Sequence, residues 1–149
     1  MRKQKRGRII CISSVAAVYS IPFQAYYSAS KAAINSFIDA LTNEVKSFGI
    51  EVTSVMPGDI STGFTAARIK SNAGDDVYSG VIGSAVSAME KDEKNGMTPD
   101  SVARLVVKLA EKKHVAPLYT SGLQYKTLVF LSRLLPHKLA VKVVGGMYK

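Results

Sequence analysis

Two short runs rich in β-branched residues bracket one long helical repeat, and that order restricts the fold more than any other feature of the chain. Arg8-Ile9-Ile10-Cys11-Ile12-Ser13 follows Gly7 and reads as a buried parallel strand. Ile50-Glu51-Val52-Thr53-Ser54-Val55-Met56 reads as a second strand, ended by Pro57-Gly58. Between them, Tyr26 to Phe48 predicts a helix with Ala29, Ala33, Phe37, Leu41, Val45 and Phe48 as its apolar stripe. Gly49 is its stop. Pro22 keeps residues 15–25 irregular. A later helix is capped by Thr98, has Pro99 in its first position, and carries Val102, Leu105, Val106 and Leu109 on one stripe. Val115 to Thr120 reads as a third strand, and short helices are expected near 62–71 and 78–91. Strands alternating with helices predict a parallel α/β sheet.

The bulk numbers narrow the class. A chain of 149 residues suggests one domain. The single cysteine, Cys11, lies in an apolar run, so no disulfide framework forms and a buried thiol in a reducing compartment is expected. The basic start (Arg2, Lys3, Lys5, Arg6, Arg8) reads as the end of a helix that Gly7 stops. No aromatic interleaving or nucleic-acid motif accompanies it, so nucleic acid is not an expected partner. The apolar stretch after it is short and broken by Ser13 and Ser14, unlike a signal peptide, and a cytoplasmic location is expected. His114 and His137 have no ligand partner at helical spacing, so no metal site is expected. Asp75, Asp76, Glu90, Asp92 and Glu93 read as solvated loop residues.

Tyr27 and Lys31 are one helical turn apart and share a face. An ammonium beside a phenol suits acid–base chemistry, because the cation favours the phenolate. Tyr26 has Ser30 at the equivalent spacing, which offers no such charge. Strand alternation sends Ser13 and Ser14 to opposite faces. As a competing pattern, Ser28-Ala29-Ser30-Lys31 reads as the S-x-x-K of penicillin-recognising hydrolases, but the companion S-D-N and K-T-G are absent.

Taken together, a strand ending in Ser14, Tyr27-x-x-x-Lys31 in an Ala-Ser-Lys-Ala-Ala helix, and Pro57-Gly58-Asp59-Ile60-Ser61-Thr62 resemble the short-chain dehydrogenase/reductase family over about residues 1 to 115. The resemblance implies an NAD- or NADP-dependent oxidoreductase that interconverts a carbonyl and an alcohol by hydride transfer. It implies Ser14, thirteen residues before Tyr27, as the group that hydrogen-bonds the substrate oxygen, and Tyr27 as the proton donor or acceptor. Lys31 would assist Tyr27 and bind the nicotinamide ribose. Pro57, Gly58, Ile60 and Thr62 would lie beside the cofactor, and Asp59 is read as a freely variable position. The resemblance also implies a homo-oligomer formed through the 26–48 helix.

No G-x-G-x-x-G fingerprint occurs in the chain. The resemblance is therefore placed on the family's C-terminal catalytic half: the C-terminal part of a doubly wound Rossmann sheet, with the N-terminal dinucleotide-binding strands missing. A fragment of a longer protein, or a truncated gene product, is the corresponding expectation. Its uncovered sheet edge is expected to favour association or poor solubility. Residues 1–122 form the expected partial catalytic region, with a substrate lid at about 59–97, and residues 123–149 form an apolar, basic tail. The lid's Phe64, Ile69, Val77, Tyr78 and Met89 favour an apolar or lipid-like substrate. The tail is expected to pack on the core or on another subunit, with a membrane surface as the alternative. The competing function is a non-catalytic remnant serving as a dimerisation module.

Overall fold

The computed structural model describes residues 1–71 and 73–148. Three parallel strands, β1 (Gly7–Ile12), β2 (Ile50–Met56) and β3 (Leu118–Thr120), form one sheet in the order β1-β2-β3. Gly7 pairs with Ile50 and Ile12 with Val55, while Ser54 pairs with Leu118 and Met56 with Thr120. β2 is central and buried at every position except the half-buried Glu51. Among the described residues, β1 is an outer strand, and Ile12 at its end is exposed.

Strand alternation divides the core into two layers. On one face, Ile50 and Val52 pack with Ile38 of α1 (Ala25–Val45), and Ile9, Cys11, Ile34 and Leu41 close around them. On the other face, Val55 packs with Val102 and Leu109 of α4 (Pro99–Glu111), supported by Ile10, Leu105 and Val106. The expected α4 stripe is the one that faces the sheet. The expected α1 stripe does so only from Leu41 onward, where Leu41, Val45 and Phe48 pack on the sheet layer. Phe37 is 58% exposed and Ala29 and Ala33 are also exposed, whereas Ile34, Ile38, Leu41 and Val45 face the strands. Both sets satisfy helical spacing; the branched isoleucines fill the pleated surface better than alanines do.

Several boundaries also move. Residues 2–5 form turns rather than a helix end, and Gly7 opens β1 instead of stopping a helix. The main chain at Lys5 runs against Gly49, which caps the end of the α1 segment with φ 64° and has no room for a side chain. The third strand starts at Leu118, not Val115, because Pro117 has no N–H to donate to a ladder. Thr98 precedes α4, but its side chain makes no capping bond. In the expected lid, α2 spans Phe64–Ala67 and α3 spans Val81–Lys94. The carboxylate of Asp75 caps α3 by accepting from the N–H groups of Ile82 and Gly83 at 3.0 and 3.3 Å, so it is not a solvated loop residue. A parallel bridge between Ile60 and Met97 pins both ends of the lid together. Gly96 fits there because a Cβ would meet the Asp59 carbonyl.

The tail forms two helices, α5 (Leu123–Leu134) and α6 (His137–Met147), broken by Pro136. Only Tyr125 and Val129 of α5 and Val144 of α6 are buried. The expected packing of the tail's leucines into the core of this chain is therefore not found: Leu123, Leu131 and Leu134 are exposed.

Candidate active site

The end of β1 is held against the segment after β2 by two further ladder bonds. Ser13 N–H donates to the Val55 carbonyl at 2.8 Å, and Val15 N–H donates to the Pro57 carbonyl at 2.9 Å. Ser14 lies between them with extended backbone, and its Oγ accepts the Ala16 N–H at 3.1 Å, capping the 3-10 turn Val15–Ala17. That leaves the Ser14 O–H to point elsewhere. Ser13 does a different job: its hydroxyl donates to the Lys31 carbonyl at 2.9 Å and locks α1 onto β1. The two serines thus differ in their bonds, although both border the same cavity.

Lys31 Nζ donates to the Ile12 carbonyl at 3.2 Å and lies 5.7 Å from the centre of the Tyr27 ring. One of its three N–H groups is accounted for by that bond. Tyr27 is partly exposed at 36%, while Tyr26 is 95% exposed and points away from the core. Thr62 Oγ1 accepts the Phe64 N–H at 3.1 Å, which also leaves its O–H free to donate. Ser14, Tyr27, Lys31, Pro57, Gly58, Ile60 and Thr62 all border one cavity of about 330 Å³. Residues separated by up to 48 positions therefore meet, and those with free polar hydrogens at the cavity are Ser14, Tyr27, Lys31 and Thr62.

The same cavity has walls that local spacing did not reveal. Asp59, Glu93, Met89 and Tyr148 line it too. Asp59 is not a free position. Its carboxylate accepts the Tyr125 hydroxyl at 2.7 Å, and its N–H donates back to that oxygen at 3.1 Å. Burial pushes the Asp59 carboxyl up, against the Tyr125 hydrogen bond, and the nearby Asp92 and Glu93 charges add to the rise. Burial likewise pushes the Tyr125 phenol up, and Asp59 reinforces it. Glu93 is not in a solvated loop. It ends α3, accepts the Thr65 hydroxyl at 2.6 Å and pairs with Arg68 at 2.5 Å. Glu90, one turn earlier, pairs with Lys70 at 2.7 Å. No local pattern marks Tyr125 as the partner of Asp59, because the two are 66 residues apart.

A parallel α/β sheet thus carries a serine at a strand end, a helix-borne tyrosine–lysine pair and a Pro-Gly turn around one cavity. The family model described as short chain dehydrogenase matches residues 1–73, and over that segment the chain is similar to the family. The 3-ketodihydrosphingosine reductase of Bacteroides thetaiotaomicron is 40% identical over 116 residues, which are 76% of this chain and 43% of that protein. A short chain dehydrogenase from Burkholderia cenocepacia, solved in complex with NADP, superimposes with a TM-score of 0.67 at 19% identity over 94% of this chain and 48% of its own. A short chain dehydrogenase/reductase from Burkholderia phymatum, solved with NAD, gives 0.68 at 21% identity over 88% of this chain and 48% of its own. The chain spans about two fifths of that relative's length and about half of those structures.

This match corrects the placement on the family's C-terminal catalytic half, with the dinucleotide-binding strands missing. The family model falls on residues 1–73, the N-terminal part of this chain. Physically, that segment is a β–α–β unit in its own right: a glycine-opened β1, α1 laid across it, and β2 paired in parallel. The placement on a C-terminal half does not stand on these comparisons; the three-stranded parallel α/β sheet does.

Proposed function

We propose that the chain carries the reacting groups of an NAD- or NADP-dependent oxidoreductase that interconverts a carbonyl and an alcohol on an apolar, lipid-like substrate. The observation that carries this is the meeting of Ser14, Tyr27 and Lys31 with Pro57 to Thr62 at one cavity, their remaining polar hydrogens being donors. A carbonyl oxygen and ribose hydroxyls are acceptors, so the donor set fits a ketone beside a nicotinamide nucleoside. Tyr27, Lys31, Pro57, Gly58, Ile60 and Thr62 would hold that cofactor. When bound, it supplies or accepts the hydride.

The chain's own residues do the rest. Ser14, its lone pair engaged by Ala16 N–H, donates its O–H to the substrate oxygen where negative charge develops. Tyr27 passes its proton to that oxygen, or takes it back in the reverse direction. Lys31, anchored on the Ile12 carbonyl, keeps a positive charge beside the ring that has just lost a proton. Ile21, Met89 and Phe64 supply apolar wall around the polar centre and favour an aliphatic ketone. The reductase named above acts, by its name, on 3-ketodihydrosphingosine, a keto compound, which supports a ketone as substrate. The exposed Ala29, Ala33 and Phe37 stripe supports pairing of α1 with a second copy.

The test is direct binding of NADH and NADPH by cofactor fluorescence, followed by oxidation of the bound cofactor with an aliphatic ketone. Tyr27→Phe is expected to keep cofactor binding and lose turnover about 100-fold or more. Lys31→Met is expected to weaken both. Turnover by Tyr27→Phe equal to the parent's would refute the assignment.

A further inference from the structure

We infer that the outward face of α5 and α6 is a docking surface for an anionic lipid bilayer. The core-facing side of α5 is set by Tyr125, Val129 and Ser132, at i, i+4 and i+7. Half a turn away, Leu123, Phe130 and Leu134 line up at i, i+7 and i+11, exposed by 79%, 63% and 67%. A helix at the surface of a globular protein shows polar residues on that side; here the side turned away from the core is the apolar one. Lys126 and Arg133 run along one edge of the ridge. On α6, exposed Leu139 and Val143 sit one turn apart beside Lys138 and Lys142, also one turn apart.

Charge selects the occupant. After Glu111 the sequence contains no aspartate or glutamate, but seven lysines and arginines. The core of a protein interface is depleted in lysine, and its charges meet charges of the opposite sign. A two-fold pairing of this face with itself would bring its cations together without a single carboxylate to receive them. An anionic headgroup layer offers the complement: phosphates for the basic edge and acyl chains for the leucine–phenylalanine ridge. Among the described residues no helix is long and apolar enough to cross a membrane. The helices therefore lie in the interface plane rather than span it. None of this depends on the oxidoreductase reading.

The experiment is flotation of the full chain with vesicles of phosphatidylcholine alone, and with phosphatidylserine as a minor component. The expected result is binding to the serine-lipid vesicles, weakened by salt, with little binding to phosphatidylcholine. Lys126→Glu with Arg133→Glu is expected to weaken binding by about fivefold or more for each basic residue lost. Phe130→Glu with Leu134→Glu is expected to abolish it while leaving the circular dichroism spectrum unchanged. Because the chain has no tryptophan, Phe130→Trp gives an independent readout. Its emission should shift to the blue on the serine-lipid vesicles and be quenched by brominated lipid. Three results would each overturn the inference: no flotation of the folded chain, a tryptophan emission that vesicles leave unmoved, or a dimer that Phe130→Glu dissolves in the absence of lipid.

Discussion

Gly58 lies in the turn that shapes the cavity floor, and what requires a glycine there is a side chain from the far end of the chain. Its backbone is not left-handed, since the positive-φ glycines of the described residues are Gly49, Gly74, Gly80 and Gly122. Alanine would therefore suit the backbone. A Cβ at Gly58, however, would run into the Tyr125 ring, well inside the ~3.5–4.0 Å of ordinary carbon contacts. The ring cannot swing aside freely, because its hydroxyl is tied to both the carboxylate and the N–H of Asp59. Gly58→Ala must displace the ring by about 1 Å or more, at about 1–3 kcal/mol for overpacking. Losing the two hydrogen bonds adds roughly 0.5–1.5 kcal/mol each. The total is about 2–6 kcal/mol, or about 4–24 °C in Tm for a domain near this size. Tyr125→Ala alone should cost about 3–5 kcal/mol, since the ring is 8% exposed. In that background Gly58→Ala should cost less than about 1 kcal/mol, because the clash is gone and the new methyl enters vacated space. Urea unfolding followed by circular dichroism on the four chains gives the coupling energy, expected at about 1–6 kcal/mol. Additive costs would refute the reasoning, since they would show that the ring is not what excludes a side chain at Gly58.

The remaining predictions concern pH and core packing. Burial raises the Asp59 carboxyl, so the folded chain holds that proton more tightly than the unfolded one; its contribution to stability is complete below the ordinary carboxylate range and is lost as pH rises through the raised value. Asp59→Asn, which keeps an acceptor for Tyr125, should therefore match or exceed the parent's Tm at neutral pH and lose that advantage in acid; a lower Tm at neutral pH would contradict it. Glu51 has the opposite sign. Burial would raise it, but hydrogen bonds from Arg8, His114 and the Val115 N–H together hold it below its usual value. Its contribution is present above the unfolded carboxylate's range and fades as pH falls through the lowered value, so Glu51→Gln should destabilise by about 1–3 kcal/mol near neutrality and by progressively less in acid. Ile38→Ala, at the fully buried centre of the α1 layer, should cost about 2–5 kcal/mol by urea denaturation, whereas Phe37→Ala, at 58% exposed, should cost under about 1 kcal/mol in the monomer.

What the chain's local pattern reveals, and what it conceals, follows from the range of the interactions. β1, α1, β2 and α4 were readable because period 2 and period 3.6 are written into neighbouring residues. Tyr27 and Lys31 were readable as candidates because one helical turn separates them, whereas Ser14 and Thr62 became candidates only through the family resemblance. The first half of the α1 core face was misread because Ala29-Ala33-Phe37 and Ile34-Ile38 both lead to Leu41 at helical spacing, and the sheet's shape decides between them. The Asp59–Tyr125 joint was hidden for a different reason. It depends on α5 returning across the sheet ends to a turn 66 residues earlier, and no local propensity encodes that return. The carboxylates of Asp75 and Glu93 were misread as solvated for the same reason: their partners, Ile82 N–H and Arg68, become neighbours only once the lid is folded.

The Ile60–Met97 bridge joins the two ends of the segment between them. Met97 N–H reaches the Asp59 carbonyl at 2.8 Å and Ser61 N–H reaches the Met97 carbonyl at 2.9 Å, so the excursion between them leaves and re-enters the scaffold at one point. Lengthening a segment whose ends are already joined costs little, because closure entropy grows only logarithmically with length. The region between Thr62 and Gly96 is thus expected to tolerate exchange. Insertions, deletions or whole transplanted segments there would change what the cavity accepts while the strand ends that carry Ser14 and Pro57 keep their positions.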